Sequence, residues 1–155
     1  MIVLLDTSIL GLVASPSQKG EAKLCKRWLY QLLARSAYVV TSDLCDYEVR
    51  RGLLLASLRH PSVEGLNNLN ELSNILDFLP LTPSVMKCAA QLWAESRYLG
   101  QPTADEKNID GDVIIAAQWQ LLKEEYRGQY IVIATTNVKH LQRFAEAKTW
   151  QEIRF

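Results

Sequence analysis

Short runs of apolar residues alternate along the chain with longer segments that have helical periodicity. The runs at 2–5 and 131–134 are continuous and rich in strand formers, which is typical of strands covered on both faces. The segments between such runs repeat apolar residues every three or four positions, as amphipathic helices do. We therefore predict strands over 2–5, 37–41, 78–81 and 130–134, an edge strand within 149–155, a loop over 100–104, and helices over 9–14, 21–35, 43–58, 63–76, 83–98 and 110–125, with a short helix ending near Phe144.

Strands separated by helices predict an α/β protein with a mainly parallel sheet. The chain has 155 residues, which is the length of one ordinary domain. No internal repeat, low-complexity tract or Gly/Ser-rich linker divides it. The sequence thus predicts a single domain over 1–155.

Composition excludes some classes of protein and leaves others open. Hydrophobic residues make up 48% and charged residues 22%, which excludes disorder as the main state. Lys and Arg number 17, and Asp and Glu number 17, so the formal net charge is zero. A nucleic-acid partner therefore requires local basic patches, since the chain has no global positive field.

The cysteines and the apolar runs bear on location. Cys25, Cys45 and Cys88 are widely spaced and form no C-x-x-C pair, so we expect buried free thiols and a reducing cytoplasm. Residues 1–6 lack the basic start and the apolar length of a signal peptide. No run approaches the roughly 20 apolar residues that span a bilayer, so we expect no membrane association.

Polar residues follow the two most apolar strands. Asp6 is the first polar residue after 2–5, and 135–137 (Thr-Thr-Asn) follows 131–134. Ligands of parallel sheets bind beyond the carboxyl ends of the strands, so these groups face one crevice if the strands are neighbours. Asp110 and Asp112 begin a helix at the edge of the core.

Each acid alone is explained as a helix cap, which the helix dipole favours by about 0.3–1 kcal/mol. Glu48 lies within a helix beside Arg50 and Arg51, where an ordinary ion pair is the simpler role. Several carboxylates that converge on one crevice repel one another unless a cation lies between them. Mg²⁺ and Mn²⁺ are the hard cations that such oxygen ligands suit.

Together, four stretches resemble the PIN-domain family of metal-dependent ribonucleases, which includes the VapC-type toxins of toxin–antitoxin pairs. Residues 2–8 resemble the family's opening strand and first acid. Residues 42–52 resemble the family's helix with Glu followed by a basic residue and Gly. Residues 110–117 resemble the family's Asp before an Ile-Ala-Ala helix, and residues 131–141 resemble its strand that leads to Thr-x-Asn. The four motifs occur in the family's order over nearly the whole chain.

The resemblance implies a three-layer α/β/α sandwich and a set of site residues. It assigns metal binding to Asp6, Glu48 and Asp112, and supporting roles to Thr7 or Ser8 and to Asn137. The chain departs from the family at His140, where many members have Asp. We expect Asp110, two residues before Asp112, to supply the missing carboxylate.

The activity implied by the resemblance is cleavage of RNA phosphodiesters in the presence of Mg²⁺ or Mn²⁺, leaving a 5′-phosphate and a 3′-hydroxyl. The implied partners are an RNA substrate, a small antitoxin protein and a second copy of the chain. The basic residues nearest to the motifs either form an ordinary solvated surface or contact RNA. They are Arg50, Arg51, Lys139 and Arg143. Trp28, Trp93 and Trp119 have apolar neighbours at helical spacing, which favours core packing over base stacking.

Two other functions remain open from the sequence. The substitution at His140 favours a PIN-like scaffold that binds RNA or a partner protein without cleavage. The other function is that of a phosphotransfer or phosphatase domain that uses Asp6. The sequence supports this function less, because haloacid-type phosphatases need a second Asp two residues after the first, where this chain has Ser8.

Overall fold

The computed structural model describes residues 1–101 and 110–154. Its elements alternate as the apolar pattern predicts. The strands are β1 (Ile2–Leu5), β2 (Tyr38–Ser42), β3 (Asp77–Leu79), β4 (Ile131–Ala134) and β5 (Ala147–Lys148). The helices are α1 (Thr7–Ala14), α2 (Gly20–Ala34), α3 (Asp43–Arg59), α4 (Glu64–Leu72), α5 (Pro83–Tyr98), α6 (Gly111–Glu125) and α7 (Val138–Leu141), and a one-turn 3₁₀ helix spans Trp150–Glu152.

All five strands are parallel, in the order β3-β2-β1-β4-β5. Every residue of β1 and β4 is buried, because helices cover both faces of a parallel sheet and exclude water from its central strands. The register pairs Leu5 with Thr41 on one side and with Ala134 on the other. The carboxyl ends of β1, β2 and β4 therefore lie level with one another.

Helices on both sides of the sheet complete three layers. Helices α1 to α4 contact one another, while α6 contacts α5 and α7. This division follows from right-handed crossovers: the chain moves from β1 to β3 in one direction, then returns across the sheet to β4. The predicted α/β/α sandwich with a parallel sheet is confirmed.

Three element boundaries differ from the sequence prediction. The last strand is only Ala147–Lys148, and the 3₁₀ helix Trp150–Glu152 lies within the segment predicted as an edge strand. A capping box between Thr149 and Glu152 stops the strand, because their side chains satisfy backbone groups that a ladder would use. Helix α4 ends at Leu72 rather than 76, and α7 ends before Phe144. Residues 102–104 of the predicted loop lie outside the described residues.

Core packing explains the tryptophans and two of the cysteines. Trp28 is buried against Trp150, with ring centroids 5.9 Å apart, and Nε1 of Trp119 donates to the Ile131 carbonyl at 3.0 Å. Cys25 and Cys45 are buried free thiols, as predicted, whereas Cys88 is only partly buried. Among the described helices, none is long and apolar enough to cross a membrane.

Candidate active site

The strand order reverses direction between β1 and β4, which is where α/β sheets open a crevice at their carboxyl edge. Asp6 directly follows β1 and Thr135 directly follows β4, so the register places them side by side. The backbone N–H of Asp6 donates to the Ala134 carbonyl at 3.0 Å, which continues the ladder by one residue. Topology therefore fixes the first acid at this switch point.

Hydrogen bonds hold both carboxylate oxygens of Asp6. Oδ1 accepts from the backbone N–H of Thr7 at 2.7 Å, which caps α1. Oδ2 accepts from the hydroxyl of Thr135 at 2.6 Å. Thr135 is fully buried, and its Oγ1 also accepts from the backbone N–H of Asn137 at 2.9 Å. The sequence analysis did not assign Thr135 a contact, although its place as the first polar residue after β4 signals one.

Replacing Thr135 by valine is expected to lower the free energy of unfolding by about 1–3 kcal/mol, since it leaves a buried carboxylate oxygen of Asp6 and the partly buried backbone N–H of Asn137 without their partner. Urea denaturation in EDTA measures this. Thr136→Val is the matched control, because Thr136 is exposed and surface changes usually stay within about 0.5 kcal/mol. Equal losses in the two variants would contradict a special role for Thr135.

Glu48 faces the same crevice from α3. Its Oε1 accepts from the hydroxyl of Thr7 at 3.1 Å, and its Oε2 lies 3.8 Å from Nη2 of Arg51. A methyl group placed on Gly111 would lie 3.5 Å from Oε1, so α3 and the start of α6 meet at this carboxylate. The ion pair expected from the sequence is present, and it coexists with the contact to Thr7.

Asp110 and Asp112 contribute two carboxylates at the start of α6. Asp110 is the N-cap, and its Oδ1 accepts from the backbone N–H of Asp112 at 3.2 Å. Its Oδ2 is buried and has no hydrogen-bond partner among the described residues. Capping therefore accounts for one oxygen of Asp110 and leaves the other unexplained.

The short helix α7 places His140 beside Asp112. Nδ1 of His140 lies 3.6 Å from Oδ2 of Asp112, and half of the imidazole side chain is exposed. Asn137 precedes α7 and is exposed. Ser8 accepts from the backbone N–H of Thr136 at 3.1 Å, so both hydroxyl candidates beside Asp6 have partners in the site.

The acids influence one another electrostatically. Burial raises the pKa of Asp112 above its ordinary value, and the charges of Asp6 and Asp110 raise it further, while His140 and Arg143 oppose this. Burial also raises the pKa of Asp6, although the hydrogen bonds from Thr135 and Thr7 oppose this. The charges of Asp6 and Asp110 act on Asp112, which disfavours the common ionisation of the three aspartates.

Carboxylate oxygens are the donors that hard divalent cations prefer, so the chemistry of this site fits Mg²⁺ or Mn²⁺. The unpartnered Oδ2 of Asp110 fits the same role. Within 1–101 and 110–154, however, no three His, Cys, Asp or Glu side chains are yet gathered closely enough to hold one ion. The acids therefore share a crevice without forming a closed set of ligands in the described part of the chain.

The four basic candidates differ in how their charge is used. Arg50 donates to both carboxylate oxygens of Asp46, at 2.8 and 2.9 Å, and to Asn70. Arg51 approaches Glu48 and is exposed. On α7 and just beyond it, Lys139 and Arg143 are exposed on the His140 side of the crevice. Arg51, Lys139 and Arg143 thus flank the acids with accessible charge.

No family model matches the sequence, and no curated protein matches it. Solved structures do match. A chain of VapBC-1 from nontypeable Haemophilus influenzae is 18% identical, with a TM-score of 0.67 over 98% of this chain and 100% of that chain. A chain of VapBC2 from Rickettsia felis, bound to a DNA fragment from their promoter, is 17% identical, with a TM-score of 0.68 over 97% of this chain and 99% of that chain. The predicted resemblance to VapC-like PIN domains is confirmed for the fold.

Proposed function

We propose that this chain, which folds as a VapC-like PIN domain, is a metal-dependent endoribonuclease and the toxin of a toxin–antitoxin pair. The observation that carries the proposal is that four acids from three elements line one crevice at the switch point of the sheet. Asp6 follows β1, Glu48 comes from α3, and Asp110 and Asp112 begin α6. The two similar structures are of VapBC proteins, which supports the assignment to this class.

Asp6, Glu48 and Asp112 would hold Mg²⁺ or Mn²⁺, with Asp110 as a further ligand. When bound, the cation activates water and stabilises charge on phosphorus. Thr135 and Thr7 orient the carboxylates of Asp6 and Glu48 through their hydroxyls. No residue need act as a covalent nucleophile, because the attacking group is water.

The test is cleavage of a structured RNA by the purified protein in Mg²⁺, in Mn²⁺ and in EDTA, at one fixed salt concentration because phosphate contacts depend on salt. The expected result is metal-dependent cleavage, with 5′-phosphate and 3′-hydroxyl ends. Cleavage that persists in EDTA, or that leaves a 2′,3′-cyclic phosphate, would contradict the proposal.

A scaffold that binds RNA or a partner protein without cleavage is the second candidate. Two observations favour it: His140 stands where many family members have Asp, and the described residues contain no gathered group of three metal ligands. Metal binding without cleavage of any RNA tested would favour this scaffold over the enzyme.

We also propose a small antitoxin protein and a second copy of the chain as partners. The similar solved structures are of VapBC proteins, which supports an antitoxin partner. Exposed apolar residues support self-association, because large apolar patches usually mark interfaces; they include Leu54, Leu55 and Leu58 on α3 and Met86 on α5. Light scattering at tens of micromolar is expected to show a dimer, and a monomer would contradict self-association.

A further inference from the structure

An exposed tyrosine on α3 is joined to the acidic crevice through an arginine. The guanidinium carbon of Arg51 lies 5.2 Å from the centroid of the Tyr47 ring. The same guanidinium lies 3.8 Å from Oε2 of Glu48. Tyr47 is 59% exposed, and the side chain of Arg51 is 60% exposed. An accessible aromatic ring and an accessible cation thus continue outward from a site acid.

The fold does not account for this pair. Tyr47 belongs to neither core cluster of the described chain. It contrasts with Trp28 and Trp119, whose rings pack in the core or donate to a strand carbonyl. The ion pair of Arg51 is long and exposed, so it adds little to stability.

We infer that Tyr47 and Arg51 form a stacking platform for an unpaired base of the RNA, next to the phosphate at the acidic crevice. Unpaired bases stack on tyrosine rings and on guanidinium planes, whereas the bases of a duplex are already stacked on one another. The cation of Arg51 also offsets phosphate charge beside Glu48. The platform is expected to hold an unpaired base more tightly than a base within a duplex. This inference rests on the proposed ribonuclease function.

A protein partner is the rival occupant, because the same side of α3 continues into exposed Leu54, Leu55 and Leu58. The contacts favour RNA at the site end of the helix. There the exposed groups are a ring and a guanidinium that touches a site carboxylate, which suits a ligand that carries both bases and phosphates. The leucines lie one to three turns further along the helix.

Binding and cleavage are measured separately to test this. The probe is a short fluorescent oligoribonucleotide, used unpaired and annealed to its complement, with the full-length protein in EDTA and again in Ca²⁺. Tyr47→Ala is expected to weaken binding of the unpaired probe by about five- to a hundredfold and to change binding of the duplex little. Tyr47→Phe keeps the ring and is expected to bind like wild type.

The matched control is Tyr30→Ala, because Tyr30 on α2 is 61% exposed and should not affect either probe. Wild-type affinity in Tyr47→Ala, or no preference of wild type for the unpaired probe, overturns the platform. A loss of self-association in Tyr47→Ala with unchanged RNA binding overturns it in favour of a protein contact. Binding of the unpaired probe that depends on Tyr47, without cleavage in Mn²⁺, supports the platform and contradicts the ribonuclease.

Discussion

Replacing Asp6 by asparagine is expected to abolish both Mn²⁺ binding and RNA cleavage. Asp6 lies at the switch point, and both of its carboxylate oxygens are fixed by hydrogen bonds from Thr7 and Thr135. Loss of residues that merely orient metal ligands costs about 10–100-fold in affinity or activity, so loss of a ligand itself should exceed that range. Calorimetric titration with Mn²⁺ and single-turnover cleavage measure the two effects.

The asparagine side chain keeps one oxygen for the N–H of Thr7, so the cap of α1 is retained. Asp77→Asn is the control, because Asp77 begins the edge strand β3, two strands from β1, and accepts a hydrogen bond from Tyr38 outside the site, so it should leave both measurements unchanged. Equal Mn²⁺ affinity in wild type and Asp6→Asn would remove Asp6 from the metal site.

Asp110→Asn is expected to reduce cleavage as severely as Asp112→Asn. Oδ1 of Asp110 caps α6, and asparagine caps about as well as aspartate, so the substitution keeps the helix and removes a charge. The other oxygen is buried without a partner in the described chain, which is the environment of a ligand that awaits a cation. Near-wild-type cleavage by Asp110→Asn would show that Asp110 is only a cap.

His140→Asp is the complementary change in the same experiment. The new carboxylate would lie near Asp112. The pKa of Asp112 is already raised by burial and by the charges of Asp6 and Asp110. We therefore expect lower stability in EDTA, together with equal or tighter binding of Mn²⁺ and equal or faster cleavage, because a carboxylate is a better ligand for a hard ion than a neutral imidazole. Weaker Mn²⁺ binding in His140→Asp would contradict this.

The sequence predicts the central part of the fold well, because its physical signals there are strong. β1 and β4 are continuous apolar runs, and burial on both faces is what such runs require. β5 was misplaced because two residues carry almost no periodic signal, and the capping box at Thr149 is a local contact that overrides strand propensity. Boundaries set by single hydrogen bonds are the least visible in a sequence.

The sequence and the structure contribute different parts of the candidate site. Asp6, Glu48 and Asp112 come from motifs whose order the resemblance supplied, and the structure places them on one crevice. Whether they bind metal stays a prediction. The position of Thr135 after β4 signals that it faces the crevice, but its hydrogen bond to Asp6 also depends on the register of strands far apart in the chain. The hydrogen bonds from Arg50 to Asp46 and Asn70 likewise depend on side-chain rotamers and packing, which the sequence does not show.

The hydrogen bond from Thr135 to Asp6 joins residues 129 positions apart in a chain of 155. β1 is made before β4 during synthesis, so its acid gains its neighbour only after β4 has left the ribosome. Contacts this distant in sequence form late, since a large loop must close before they stabilise anything. A nascent chain therefore carries its first acid without an assembled crevice. For the proposed ribonuclease, this order of assembly delays activity until β4 has emerged from the ribosome.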